Sequence, residues 1–257
     1  MQATFGGLSR AMDETIDVRV AIAPQIFANL RKAIVRLQLR PGQALSEKEI
    51  AGRFGTSRQP VREAFIKLAE AGLVRILPQR GTFVTKIALT AVADARFVRE
   101  AMEVAVAQAC CAPTMEIDLA PAWNAVAMQA EAGAREDHEA FLAQDERFHQ
   151  LLAEAIQCAE AFRVVETTKA QMDRVRYLSL PDASPINVLI DQHRDILNAI
   201  EARDAEAAAA AVRVHLREIL LALPQLAARY PDLFEEEELP HHAADIQARY
   251  VDAMAKV

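Results

Sequence analysis

The chain is poor in cysteine (3), tryptophan (1) and glycine (8 of 257 residues), and it has no long apolar run. Each scarcity excludes something. Three thiols, Cys110, Cys111 and Cys158, are an odd number and supply no disulfide framework. The adjacent pair Cys110-Cys111 permits a redox switch, although free cysteines are most often small buried residues on a helix. No apolar stretch approaches the ~18 residues of a membrane span. Met1 to Val20 is broken by Arg10, Asp13, Glu14, Asp17 and Arg19, so no signal peptide is expected and the cytoplasm is the expected location. Little glycine beside abundant Ala, Leu, Val and Glu favours helix, and the length allows two modest domains. There is no repeat of fixed period, and the alanine run Ala207 to Ala211 is simply good helix.

The formal net charge of −7 hides two opposite parts. From Pro24 to Ala88 there are 12 Lys and Arg against 4 Asp and Glu, a charge of +8; the remainder has 17 against 32, a charge of −15. A basic module is joined to an acidic one, which suits a phosphate-binding head on a body that polyanions avoid.

Within the basic part, Ser46 with Glu49 three residues on is a capping-box signature, so a short helix is expected from Glu47 to Arg53 or Phe54, stopped by Gly55. Ser57 can cap a second helix with Pro60 in its first turn. Val61, Ala64, Phe65, Leu68 and Ala71 follow at helical spacing, and Gly72 ends it. Leu73 to Leu77 and Thr82 to Ile87 are short and β-branched, with Pro78-Gln79-Arg80-Gly81 as a turn between them. Helix, turn, helix and wing in that order make a winged helix-turn-helix. Its second helix opens with Ser57, Arg58, Gln59 and then Arg62 at the end that enters the major groove in such proteins, where arginine can pair with guanine and glutamine with adenine. Taken alone, Arg-Gln-x-x-Arg could equally be a basic, solvated helix face.

The blocks Arg40-Pro41-Gly42, Leu45-Ser46-Glu47 and Ser57-Arg58-Gln59-Pro60-Val61-Arg62-Glu63-Ala64, completed by Leu68, Gly72, Leu73 and Arg80-Gly81-Thr82, closely resemble the DNA-binding domain of GntR-family bacterial transcription regulators. The resemblance covers about a quarter of the chain. It implies that Lys48, Ser57, Arg58, Gln59 and Arg62 contact a double-stranded operator, with Arg80 and Gly81 at the wing tip reaching the minor groove.

Along the whole chain the reading is mainly α: a flexible arm over 1–22, the winged helix-turn-helix over 23–88, a helical domain over 89–235 and an acidic tail over 236–257. A helix from Pro24, with Ile26, Phe27, Leu30, Ala33, Ile34 and Leu37 inward, is expected beneath the helix-turn-helix, and Leu89-Thr90-Ala91 is the expected linker. From Val92 the spacing predicts an antiparallel bundle of six or so helices, broken near Ala112-Pro113-Thr114, Glu131 to Glu136, Pro181 to Pro185, Arg203-Asp204 and Pro224.

Polar residues interrupt three of its apolar stripes. Phe141, Leu142, Asp145, Phe148, His149, Leu152 and Ile156 share one face; Leu189, Ile190, His193, Ile196, Leu197 and Ile200 another; Ala208, Ala211, Val212, His215 and Ile219 a third. His193 lies about ten residues before the Arg203-Asp204 turn and His215 about eleven after it, so in an antiparallel pair the two imidazoles fall at the same height. With Asp145 and His149 from a facing helix, the set suits a divalent metal, Zn²⁺ first, with Ni²⁺ and Mn²⁺ as alternatives. A lone histidine on an apolar face is more often a hydrogen-bonded core residue; three beside an aspartate would be costly to bury without a shared partner. His138, His241 and His242 stand in polar contexts and are expected to be solvated.

Over about Ala91 to Leu233 the sequence resembles the FCD ligand-binding domain of the FadR branch, through Val98-Arg99-x-x-Met102-Glu103, Asp145-x-x-Phe148-His149-x-x-Leu152, Gln192-His193-x-x-Ile196-Leu197-x-Ala199-Ile200 and Arg213-x-His215-Leu216. The resemblance implies a homodimeric regulator whose metal helps hold a small carboxylate effector. Arg99, beside the stripe Val98, Ala101, Met102 and Ala105, is a candidate partner for that carboxylate; its plainer role is an ion pair with Glu103. Asp173-Arg174-Val175-Arg176-Tyr177-Leu178-Ser179-Leu180 resembles the sugar-acid regulators of this branch, so Arg174, Arg176, Tyr177 and Asn187 are candidates to line a polyhydroxylated ligand, against surface arginines as the alternative. A metabolite-responsive repressor on a pseudo-palindromic operator is therefore expected, not an enzyme. The competing readings are a purely structural metal and a metal-dependent hydrolase. For the latter, Glu146 points about 100° away from the neighbouring ligand and no His-Glu-x-x-His is present.

Overall fold

The structure, a computed structural model, describes residues 16, 17, 19–180, 185–245 and 248. Most of the expected arm, most of the break expected at Pro181 to Pro185 and the end of the tail lie outside them. Ten α-helices and three strands form two compact units among the described residues. One unit ends at Ala88 and also takes in Tyr230–Glu236; the other runs Leu89–Arg229 and resumes at Glu237.

In the first unit α1 (Ile22–Val35) lays Ile26, Leu30 and Ile34, all fully buried, against Val61, Phe65 and Leu68 of α3 (Arg58–Glu70). It begins at Ile22, inside the stretch expected to be arm, with Pro24 in its first turn. The short α2 (Glu47–Arg53) is capped by Ser46, whose Oγ accepts from Glu49 N at 3.4 Å. Ser57 holds the N-cap position of α3 without a side-chain cap bond. Gly72, at φ +70°, ends α3, and the Leu73 N–H then donates to Leu68 O at 2.9 Å. The wing is β2 (Val74–Leu77) and β3 (Gly81–Val84), but the sheet has a third strand that the sequence pattern did not reveal: β1 (Ala44–Leu45) pairs antiparallel with β3, giving the order β1-β3-β2.

Tyr230–Glu236, expected to close the helical domain and open the acidic tail, belongs with this first unit instead. After a 3₁₀ turn at Pro231–Leu233, Phe234 is buried and forms a parallel bridge with Ile87: Ile87 N–H donates to Leu233 O at 2.8 Å and Glu235 N–H to Ile87 O at 2.9 Å. An aromatic ring and a free backbone edge outweigh the charge of the glutamates that follow.

The second unit holds α4 (Leu89–Cys110), α5 (Ala120–Ala134), α6 (His138–Ala155), α7 (Ala159–Thr168), α8 (Ala170–Ser179), α9 (Ile186–Glu201) and α10 (Ala205–Arg229). Leu89-Thr90-Ala91 is the first turn of α4, not a linker. Thr90 is fixed there by the Glu237 carboxylate, which accepts from its N–H at 3.0 Å and its hydroxyl at 3.2 Å. His242 is half-buried, with its ring edge against Phe97, where solvation was expected. α5 packs on α6 and α9, and α10 on α4 and α9, around an apolar core that includes Phe141, Phe148, Ile196 and Leu216. Cys110 and Cys111 are buried in it, and burial pushes the Cys110 thiol up to about 11, so this pair is packing, not reactive thiolate. Cys158 is exposed.

The break expected at Pro224 does not occur. α10 runs through it because the ring faces solvent while Ala222, Leu223 and Leu226 are buried on the inner side. Proline inside a helix costs about 3 kcal/mol against alanine. Pro224→Ala is accordingly expected to raise stability by about 1–3 kcal/mol, seen as a higher denaturant midpoint at an unchanged slope.

Candidate functional site

Asp145 and His149 come from α6, His193 from α9 and His215 from α10. Their heights are set by local sequence: Arg203 at φ +55° turns the chain, and Asp204 Oδ1 caps α10 by accepting from Glu206 N and Ala207 N at 3.1 and 2.9 Å. All four side chains are buried, and one ligand atom from each lies within 4.8 Å of every other. His193 Nε2 is 3.2 Å from His215 Nε2 and 3.7 Å from Asp145 Oδ1, and His149 Nε2 is 3.9 Å from Asp145 Oδ2.

The outer nitrogens decide what the inner ones carry. His193 Nδ1 is 2.7 Å from Gln129 Oε1, and Gln129 is oriented by its own amide N–H donating to Gln144 O at 3.2 Å. His215 Nδ1 is 3.1 Å from Gln192 Oε1, oriented likewise by a 3.3 Å bond from Gln192 Nε2 to Glu218. His149 Nδ1 is 2.7 Å from Glu103 Oε2. His193 Nδ1 and His215 Nδ1 therefore each face an amide oxygen and donate, which leaves their Nε2 lone pairs pointing inward. His149 Nε2 is buried with no hydrogen-bond partner.

Burial, only partly countered by Asp145, pushes His193 down to about 3, and burial with the neighbouring imidazoles holds His215 well below its ordinary value. Burial alone would raise Asp145, yet Arg176, His149 and His193 outweigh it and keep the carboxyl ionised. For Glu103 burial is likewise overcome by Arg99 and His149, down to about 2. Three imidazoles and a carboxylate, with acceptors behind the imidazoles, are compatible with a first-row divalent cation. Glu103 and Gln192 were named in the matching blocks, and Glu103 as a partner for Arg99, but neither they nor Gln129 were picked out as holders of the histidines. Gln129 had a signal, standing on the buried stripe Ala122, Ala125, Val126 and Ala132 of α5.

A cleft of about 470 Å³, counting the space continuous with solvent, borders the ligand set. Arg99, Asp145, Arg176, Ser179, His215 and Glu218 supply its polar lining. Arg99 forms the ion pair weighed for it, Nε donating to Glu103 Oε1 at 2.5 Å, and its side chain also lines the cleft, buried to 5 % exposure. Arg176 lines it too, with its guanidinium on Asp145. The other three effector candidates are not among the lining residues. Arg174 is wholly buried with Nη1 donating to Gln171 at 3.1 Å, Tyr177 is half-buried, and Asn187 is exposed. Glu146 stands 3.3 Å from Lys169, and Ser179 donates its hydroxyl to Arg176 O at 3.1 Å, so neither is set as base or nucleophile.

In the head, Lys48, Ser57, Arg58, Gln59, Arg62, Arg80 and Gly81 are all exposed. Arg62 reaches back to α2, Nε and Nη2 donating to Glu47 at 3.0 and 3.1 Å, and Gln59 donates to Glu63 at 3.1 Å. The wing turns through Gln79 at φ +59°, and Gly81 at φ +109° opens β3.

Comparison with known proteins agrees with both halves. Residues 22–84 match the bacterial regulatory proteins of the gntR family and residues 94–218 the FCD domain. The HTH-type transcriptional repressor RspR of Escherichia coli (strain K12) is 42 % identical over 213 residues, 83 % of this chain and 93 % of that protein. A probable D-xylose utilization operon transcriptional repressor of Paenarthrobacter nicotinovorans is 29 % identical over 77 % of this chain and 87 % of its own. Among solved structures, a GntR transcriptional regulator from Rhodococcus sp. RHA1 superposes with a TM-score of 0.64 at 25 % identity, covering 82 % of this chain and all of that one. The chain thus belongs to the gntR family of bacterial transcription regulators, with an FCD domain following its winged helix-turn-helix.

Proposed function

We propose that this regulator is a repressor that binds a pseudo-palindromic operator as a homodimer and is released by a small carboxylate held beside a divalent metal. The observation that carries the metal is the pair of inward lone pairs on His193 and His215, 3.2 Å apart in an apolar core. No proton stands between them when both Nδ1 atoms donate outward, so a cation is what relieves their repulsion. Asp145, His149, His193 and His215 would hold that ion, and, when bound, it supplies an electrophilic point to which an acid oxygen can attach.

The effector reading rests on the cleft. Phe141, Leu142, Met172 and Leu180 give it an apolar wall, and Arg99, buried and held by Glu103, offers a planar guanidinium fork. Names of relatives support the direction: RspR is a repressor, and the P. nicotinovorans protein is tied to D-xylose utilisation, which favours a polyhydroxylated effector. In the head, Lys48, Arg58, Gln59 and Arg62 would read the major groove of each half-site, with Arg80 and Gly81 in the minor groove. Two-fold symmetry of the protein then accounts for a two-fold operator.

Arg58→Ala is expected to weaken specific operator binding by about 1–3 kcal/mol and to relax base preference, in mobility-shift titrations against operator and scrambled DNA. An equal loss on both DNAs would leave Arg58 with a phosphate role only. Elemental analysis of purified protein should give one metal per chain, markedly less in His193→Ala, and chelation should lower the melting temperature. Arg99→Lys keeps a cation for Glu103 but loses the planar fork. It should retain metal and operator affinity while needing about tenfold or more inducer for release, tested with a panel of sugar acids and simple carboxylates. Unchanged induction in that variant would remove Arg99 from the effector site, and no release by any acid in the panel would favour a purely structural metal.

A further inference from the structure

The four inward groups differ in what stands behind them. Gln129, Gln192 and Glu103 set oxygens 2.7, 3.1 and 2.7 Å from the outer nitrogens of His193, His215 and His149. An acceptor in that place makes the opposite nitrogen a better electron donor to a cation. Asp145 has the reverse arrangement: the guanidinium of Arg176 lies on its Oδ2 and draws charge from the one anionic member of the set. Arg176 has a second acid at 4.0 Å, Asp173, but Lys169 holds Asp173 more closely, at 3.0 Å. Arg176 also lines the cleft, beside Arg99, Ser179 and Glu218 and next to Asp145 and His215 of the ligand set, so an anion entering there meets Arg176 and the ligand set together.

We propose that Arg176 restrains metal binding: it competes for Asp145 and keeps the affinity of the Asp145, His149, His193 and His215 site below what those ligands would otherwise give, until an acidic group in the cleft draws it away. This rests on the reading of the four residues as a metal site. A guanidinium and a divalent ion sharing one buried carboxylate repel each other in a medium that screens poorly. Linkage follows. An anion that pairs with Arg176 must tighten the metal by the same factor by which the metal tightens the anion.

The test uses full-length protein stripped of metal, with Zn²⁺ affinity measured in competition with a chromophoric chelator and the melting temperature read in excess chelator. Arg176→Gln and Arg176→Met should bind Zn²⁺ about tenfold or more tightly than the unsubstituted protein, and should melt at a lower temperature in chelator, because Asp145 is then buried without its cation. Arg176→Lys, which keeps a cation, should stay near the unsubstituted protein in both readouts; a general packing defect would instead weaken Zn²⁺ binding in all three variants. Binding that is equal or weaker in Arg176→Gln and Arg176→Met would show that Arg176 supports Asp145, and would overturn the proposal while leaving the metal site intact. If the unsubstituted protein binds no Zn²⁺, Ni²⁺ or Mn²⁺, the metal reading falls and this inference with it.

Discussion

Two imidazole nitrogens that both carry lone pairs repel at 3.2 Å, and in an apolar core there is no solvent to soften the repulsion. Much of the helical unit is arranged around that pair. The turn at Arg203 and the cap at Asp204 fix the register of α9 against α10, Phe148 packs against His193 with ring centroids 4.3 Å apart, and α6 brings a carboxylate to the same height. Gln129, Gln192 and Glu103 complete it by holding the outer nitrogens. Such a constellation is poor hydrophobic core: four polar groups occupy positions that Leu or Ile would fill with less desolvation. Its place at the centre of a bundle adds little to stability.

The head meets a different constraint. Its exposed arginines must be presented without collapsing onto one another or onto nearby acids. Glu47 engages Arg62 through two hydrogen bonds that span α2 and α3, which ties the two helices together and limits where that side chain can swing. Arg58 and Lys48 are exposed on the same pair of helices, so an ordered arginine sits beside more adaptable cations. Ordering before contact reduces the entropy lost when a partner binds.

What could be read from the sequence follows from how local each signal is. α2 begins and ends at Glu47 and Arg53 because Ser46, Glu49 and Gly55 act within one turn of those residues, and the matched heights of His193 and His215 follow from counting along two helices joined by a short turn. β1 escaped because two residues carry no periodicity; only its pairing with Phe83 and Thr82 across the chain makes it a strand. Pro224 misled because proline breaks helices on average, whereas burial of Leu223 and Leu226 decides the case here. Among the effector candidates, Arg174 and Arg176 lie two residues apart on α8, where a turn of about 200° separates them, so the same short segment could not place both in one cleft. Gln192 was hidden by adjacency: its importance lies in reaching α10 to hold His215, which neighbours in sequence do not disclose.

The bridge between Ile87 and Phe234 has a consequence for how the molecule is made. The winged helix-turn-helix leaves the ribosome before the helices that follow it, yet Phe234 and the backbone of Leu233 and Glu235, which complete it, are encoded after α10. Domains in general fold as they emerge, N-terminal first. Here the nascent head must wait with Ile87 unpaired until α10 has been synthesised, so the operator-binding part reaches its finished form only in a chain that already carries His215.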